Sequence, residues 1–69
     1  MNVNAPMPGK IISVKVKVGD SVKKGQELLI MEALKMQNAI RTPGDGVVKE
    51  IHVKAGDPVQ TGAPLVTVE

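Results

Sequence analysis

Residues 14 to 18, Val-Lys-Val-Lys-Val, alternate apolar and charged side chains one for one. A two-residue period of this kind predicts a strand with one buried face. Further along, Ile51, Val53 and Ala55 alternate with His52 and Lys54 in the same way. Each run leads into Gly-Asp, at Gly19-Asp20 and Gly56-Asp57, and then to a second glycine, Gly25 or Gly62. Glycine supplies a positive φ and an aspartate side chain can bond nearby backbone N–H groups, so these positions predict turns. A further strand follows each glycine, "ELLIM" from residue 27 and "PLVTV" from residue 64. Ile11 to Val14 and Val48 to Ile51 each step by three, which breaks the alternation and predicts a bend or bulge between short strands.

These matched features are one repeat. Residues 6–32 align with 43–69 at a constant offset of 37 without a gap, and ten of the 27 positions are identical. Among them are Pro6/Pro43, Gly9/Gly46, Gly19/Gly56, Asp20/Asp57, Gly25/Gly62, Leu28/Leu65 and Glu32/Glu69. Two copies are too few for a solenoid, so the expectation is a closed sandwich with internal pseudo-two-fold symmetry. Glycines and aspartates in matched turns serve backbone geometry, and the repeated residues read as scaffold. Chemistry is then to be sought in the connector, residues 33–41, which has no counterpart in this alignment.

Composition narrows the class. Val and Ile supply 16 of the 29 apolar residues, and β-branched side chains favour strands. There is no Phe, Tyr, Trp or Cys, so a core of Val, Ile, Leu, Met and Ala must hold 69 residues together without a disulfide. An all-β fold is predicted, as a single domain over residues 1–69 that is either complete or a piece of a longer chain. The formal charge is +2, with acids scattered among the bases. One histidine and no cysteine leave no set of metal ligands, and no nucleophile–base pair is apparent, so no catalysis is expected. His52, opposite Lys15 in the alignment, reads as decoration of an outward strand face. No apolar run approaches the ~20 residues of a membrane span and no signal-peptide pattern opens the chain. We therefore expect a cytoplasmic setting without membrane insertion.

"MEALKM", residues 31–36, runs from the end of the first repeat into the connector and consists of strong helix formers, and Ala33, Met36 and Ile40 are spaced to share a helical face. Two helical turns would fit. A hairpin with Leu34 and Lys35 at its tip would fit as well, against the usual preference of such tips for Asn-Gly or Asp-Gly. The residues alone leave both open, and a local choice in conflict with its surroundings is a marker of function.

"EALKM", residues 32–36, resembles the Glu-Ala-Met-Lys-Met signature of biotinyl domains, the biotin carboxyl carriers of biotin-dependent carboxylases, decarboxylases and transcarboxylases. "APMPGKI", the spaced "GDxVxxGxxL" and "PGDGVV" extend the likeness over essentially the whole chain. The resemblance implies a flattened barrel of two four-stranded sheets, with the lysine on an exposed hairpin and the termini at the far end. It implies that Lys35 is the site of covalent biotin attachment by a biotin protein ligase, and that the arm shuttles carboxybiotin between a biotin carboxylase and a carboxyltransferase or decarboxylase subunit. Glu32, Ala33, Leu34 and Met36 match the positions the family presents to ligase and partners. Leu34 stands where the family usually has Met; the volumes are close, so folding should tolerate the change and recognition is where it would act. The gapless repeat leaves no room for a protruding thumb insertion, as in the thumbless members of the family.

Three other readings compete. A lipoyl domain shares the fold and tip lysine, but its signature resembles Asp-Lys-Ala, whereas Leu34 and Met36 flank the lysine here. An unmodified domain of this shape would leave Lys35 as one more solubilising charge, the usual role of a lysine on a turn. A small nucleic-acid-binding barrel would need aromatic platforms and a basic stripe, and the chain has neither. The expected partners are thus enzymes, with no nucleic acid.

Overall fold

A computed structural model describes all residues, Met1–Glu69, and every regular element in it is a strand. They are β1 (Asn2–Asn4), β2 (Gly9–Val14), β3 (Ser21–Val22), β4 (Glu27–Ala33), β5 (Met36–Arg41), β6 (Gly46–Ile51), β7 (Pro58–Val59) and β8 (Pro64–Val68). Two four-stranded antiparallel sheets form, in the orders β1-β8-β6-β3 and β5-β4-β2-β7. Each strand and its partner 37 residues on lie in different sheets, as a pseudo-two-fold axis between them requires. The all-β barrel-sandwich is therefore present as expected.

Register shows how closely the halves match. Ile11↔Met31, Ser13↔Ile30 and Val14↔Leu29 between β2 and β4 recur as Val48↔Val68, Glu50↔Thr67 and Ile51↔Val66 between β6 and β8. The ladder slips in both copies at Ile12 and Lys49, where the three-residue step predicted a bulge. The correspondence also reaches further back than the sequence repeat. Ala39, Ile40 and Arg41 pair with β4 as Asn2, Val3 and Asn4 pair with β8, each with a bulge at Leu28 or Leu65. The last part of the connector thus has a structural mate in β1, although the sequences share no identity there.

One expectation fails in part. The alternation through residues 14–18 and 51–55 does not continue the ladders, which end at Val14 and Ile51. Lys15 and His52 each donate one last backbone bond, to the Leu28 and Leu65 carbonyls, both 2.9 Å, and the chain then crosses to the opposite sheet. Val16 is still buried, but Val18 is 62% exposed because it sits at the turn beyond the crossing. The predicted turn chemistry is present: Asp20 Oδ2 accepts from the Lys17 N–H and Asp57 Oδ2 from the Lys54 N–H, both at 3.0 Å. Gly19, Gly25, Gly56 and Gly62 all have positive φ, between 85° and 99°.

The core lies between the sheets. Ile11, Leu28, Leu29, Met31, Val48, Leu65, Val66 and Val68 are fully buried, and burying one such side chain is worth about 1.5–3 kcal/mol. Thr42 is the buried polar side chain, satisfied by donating from Oγ1 to the Gly44 carbonyl at 2.7 Å. The molecule measures 30 × 19 × 18 Å.

Candidate functional site

β4 and β5 form the longest ladder of the molecule, six residue pairs from Glu27↔Arg41 to Ala33↔Met36. Only two residues, Leu34 and Lys35, join them. Of the two-residue turns that match the right-handed twist of the strands, type I′ has positive φ at both positions. Leu34 has φ 53° and Lys35 φ 64°, and they are the only residues other than glycine in that region. For an L-residue with a Cβ this costs roughly 1–2 kcal/mol each. The helical propensity of "MEALKM" is overridden because β4 must pair with both β2 and β5 to bury Leu29 and Met31.

The turn projects Lys35 into solvent at the apex, with Leu34 88% and Met36 65% exposed beside it. Of the four large apolar side chains exposed on the domain, these two are the adjacent pair, one on each side of the lysine. Glu32 is exposed and lies opposite Gln37 on one side and Lys10 on the other. Ala33 departs from the expected partner contact. It is 5% exposed and faces inward beneath the tip, so its part is packing.

Two supports of the hairpin escaped the sequence reading. Gly9 in β2 passes so close to β4 that a Cβ there would lie 2.5 Å from the Glu32 carbonyl oxygen and 3.3 Å from the Ala33 Cβ. Its mate Gly46 approaches Glu69 in the same way, so the identity Gly9/Gly46 was the available signal. Asn38 Nδ2 donates to the Met36 carbonyl at 3.3 Å, tying down the first residue after the turn.

The chain ends meet elsewhere. Met1 and Val68 exchange backbone bonds, and Gly46 packs against Glu69 beside them. The crossing after β2 leads to β3, which pairs with the start of β6 at Gly46, whereas the start of β2 lies under the lysine hairpin. Tip and termini therefore occupy opposite ends of the barrel. No cluster of three or more His, Cys, Asp or Glu side chains could hold a metal ion. His52 is exposed, its Nε2 2.9 Å from Thr67 Oγ1, which in turn donates to Asn2 Oδ1 at 3.0 Å.

The duplicated barrel thus raises one lysine on a strained hairpin at the end away from the termini. Comparison with known proteins supplies the class. Residues 1–68 match the biotin/lipoyl attachment family, described as "Biotin-requiring enzyme". Over 48 residues the chain is 65% identical to methylmalonyl-CoA decarboxylase subunit gamma of Veillonella parvula, covering 70% of this chain and 37% of that one. It is 47% identical over 68 residues to pyruvate carboxylase of Staphylococcus aureus, covering 99% of this chain and 6% of that one. The solved structure of Kluyveromyces lactis urea carboxylase superposes with a TM-score of 0.94 at 26% identity, over 100% of this chain and 6% of the other. The chain belongs to the biotin/lipoyl attachment family, with the non-catalytic carrier domains of carboxylases and decarboxylases. It spans only 6% to 37% of the length of these relatives.

Proposed function

We propose that Lys35 is the acceptor of covalent biotin, and that the domain carries a carboxyl group between a carboxylating enzyme and a carboxyltransferase or decarboxylase. The observation that carries this reading is the hairpin itself. A lysine is held in left-handed backbone at the apex of the longest ladder, flanked by two exposed apolar side chains. Lipoate is the less favoured cargo, because the named relatives are carboxylases and decarboxylases.

Covalent attachment asks little of the carrier and the residues present meet it. No cavity is needed, only an unhindered primary amine on a flexible four-carbon stem at a convex point. Lys35 Nζ sheds a proton within the ligase and attacks the activated acyl group of biotinyl-adenylate. The new bond is an amide and the leaving group is AMP. When bound, biotin supplies the nitrogen that takes up and gives up the carboxyl group. Attachment keeps the reacting group at high local concentration while it moves between sites.

The test is intact mass after incubation with biotin protein ligase, biotin and ATP, beside Lys35→Ala. We expect one biotinyl addition in the parent and none in the variant. Addition in both would place the acceptor elsewhere, and addition in neither would remove the biotin reading and make lipoate ligase the next enzyme to try.

A further inference from the structure

The pseudo-two-fold axis gives this molecule an internal control. Its two sheets have the same register and the same bulges, so their outer faces are built on matched backbones. Their chemistry differs. On the sheet β1-β8-β6 the outward positions are Asn2, Lys49, Glu50 and Thr67, all polar, with His52, Thr67 and Asn2 joined by hydrogen bonds. The mates on the lysine-bearing sheet β5-β4-β2 are Ala39, Ile12, Ser13 and Ile30. Ile12, Ile30 and Ala39 are half-buried and none belongs to the core, which packs on the other face of their sheet. Charged rows border this strip, Lys10 and Glu32 toward the tip, Glu27 and Arg41 away from it, the latter pair joined at 3.2 Å. An apolar centre within a polar rim is the anatomy of a protein–protein contact.

We propose that this outer face, centred on Ile12, Ile30 and Ala39, is the surface on which the ligase that acylates Lys35 docks. The inference rests on the reading of Lys35 as acceptor. Reach selects the ligase over the later enzymes. It must act on the bare lysine, whose stem extends only about 6 Å, so its body has to lie against the flank of the hairpin. Ile30 stands ~15 Å from the tip along β4 at strand rise. A standard interface takes ~800 Å² per partner, more than the tip of a molecule 19 × 18 Å in cross-section presents, so a footprint beginning at the tip extends along the flank to this row. Of the two outer faces only this one belongs to the strands that carry Lys35, and Glu32 lies between them on the same face.

The pseudo-symmetry also supplies the variant. Ile12→Lys, Ile30→Thr and Ala39→Asn together install side chains that the same backbone already carries in the other sheet. With biotin protein ligase, biotin and ATP, we expect kcat/KM for biotin incorporation to fall about tenfold or more, mainly through KM, while circular dichroism is unchanged. Asn2→Ala with Lys49→Ala, on the opposite face, is expected to stay within twofold of the parent. A folded triple variant modified as fast as the parent would sink the proposal and leave the carrier function intact. If the triple variant does not fold, Ile12→Lys and Ile30→Thr are assayed singly; a rise in KM for each supports the docking face, and parental values overturn it. A parent that takes no biotin would end the reading of Lys35 and this inference together, a result distinct from all of these.

Discussion

The cost of the tip is carried by two residues. Leu34 and Lys35 occupy left-handed backbone that Asn or Gly would adopt with little strain. Leu34→Asn is therefore expected to stabilise the domain by about 1 kcal/mol, seen as a rise of roughly 4–8 °C in the thermal midpoint. The same replacement removes an apolar side chain 88% exposed, whose exchange for the family's usual Met leaves the core untouched. Gly9 is the opposite case, a residue whose missing side chain matters. Gly9→Ala sets a methyl against the Glu32 carbonyl and should cost about 1–3 kcal/mol in urea denaturation. A loss under half a kcal/mol would show that β2 can shift away without consequence.

Among elements, the two Gly-Asp turns do equivalent work. Asp20 and Asp57 each accept from a backbone N–H three residues earlier, and their own carbonyls accept from Val48 and Ile11 across the sheets. Replacing either aspartate by Ala removes the side-chain bond and keeps the backbone one. We expect each variant to lose about 1 kcal/mol, the two values to agree, and the double variant to show their sum, since the turns share no partner. Equilibrium unfolding of all three checks this, and a markedly unequal pair would show that the halves fold with different stringency. The crossings that follow β2 and β6 explain why alternation misled at Val18. Period 2 reports an extended chain with one side facing the core, and a crossover segment is extended without belonging to a ladder.

The whole molecule is a duplication in which the chain ends replace one of two hairpins. Glu69 and Met1 stand where Glu32 and Asn38 stand at the lysine end, and five residues lie between that pair in the intact hairpin. Joining Glu69 to Met1 through Ala-Leu-Lys-Met-Gln, and opening the chain between Leu34 and Lys35 in a Lys35→Ala background, should give a cooperatively folding permutant. Thermal unfolding followed by circular dichroism tests this, and the absence of a transition would mean that the two ends are not equivalent. By the docking argument its grafted lysine should accept biotin far more slowly than Lys35 does, because the sheet behind it is polar.

The chain's own pattern determined a great deal. Its offset of 37 specified the duplication, the spacing of Ile11 and Val14 located a bulge, and β-branched composition without aromatics set the fold class. These rest on periods and turn chemistry, which are local and therefore written in consecutive residues. Tertiary structure decided the rest. Residues 31–36 favour a helix by propensity, and only pairing on both edges of β4 turns them into a strand and a strained turn. β1 and the end of β5 are mates without sequence identity, since what they share is a place beside β8 or β4. Ala33 reads as a presented residue beside the lysine and is buried, because the inward face continues to the last pair of the ladder. Ile12, Ile30 and Ala39 are scattered through the sequence and become one surface only when three strands lie side by side.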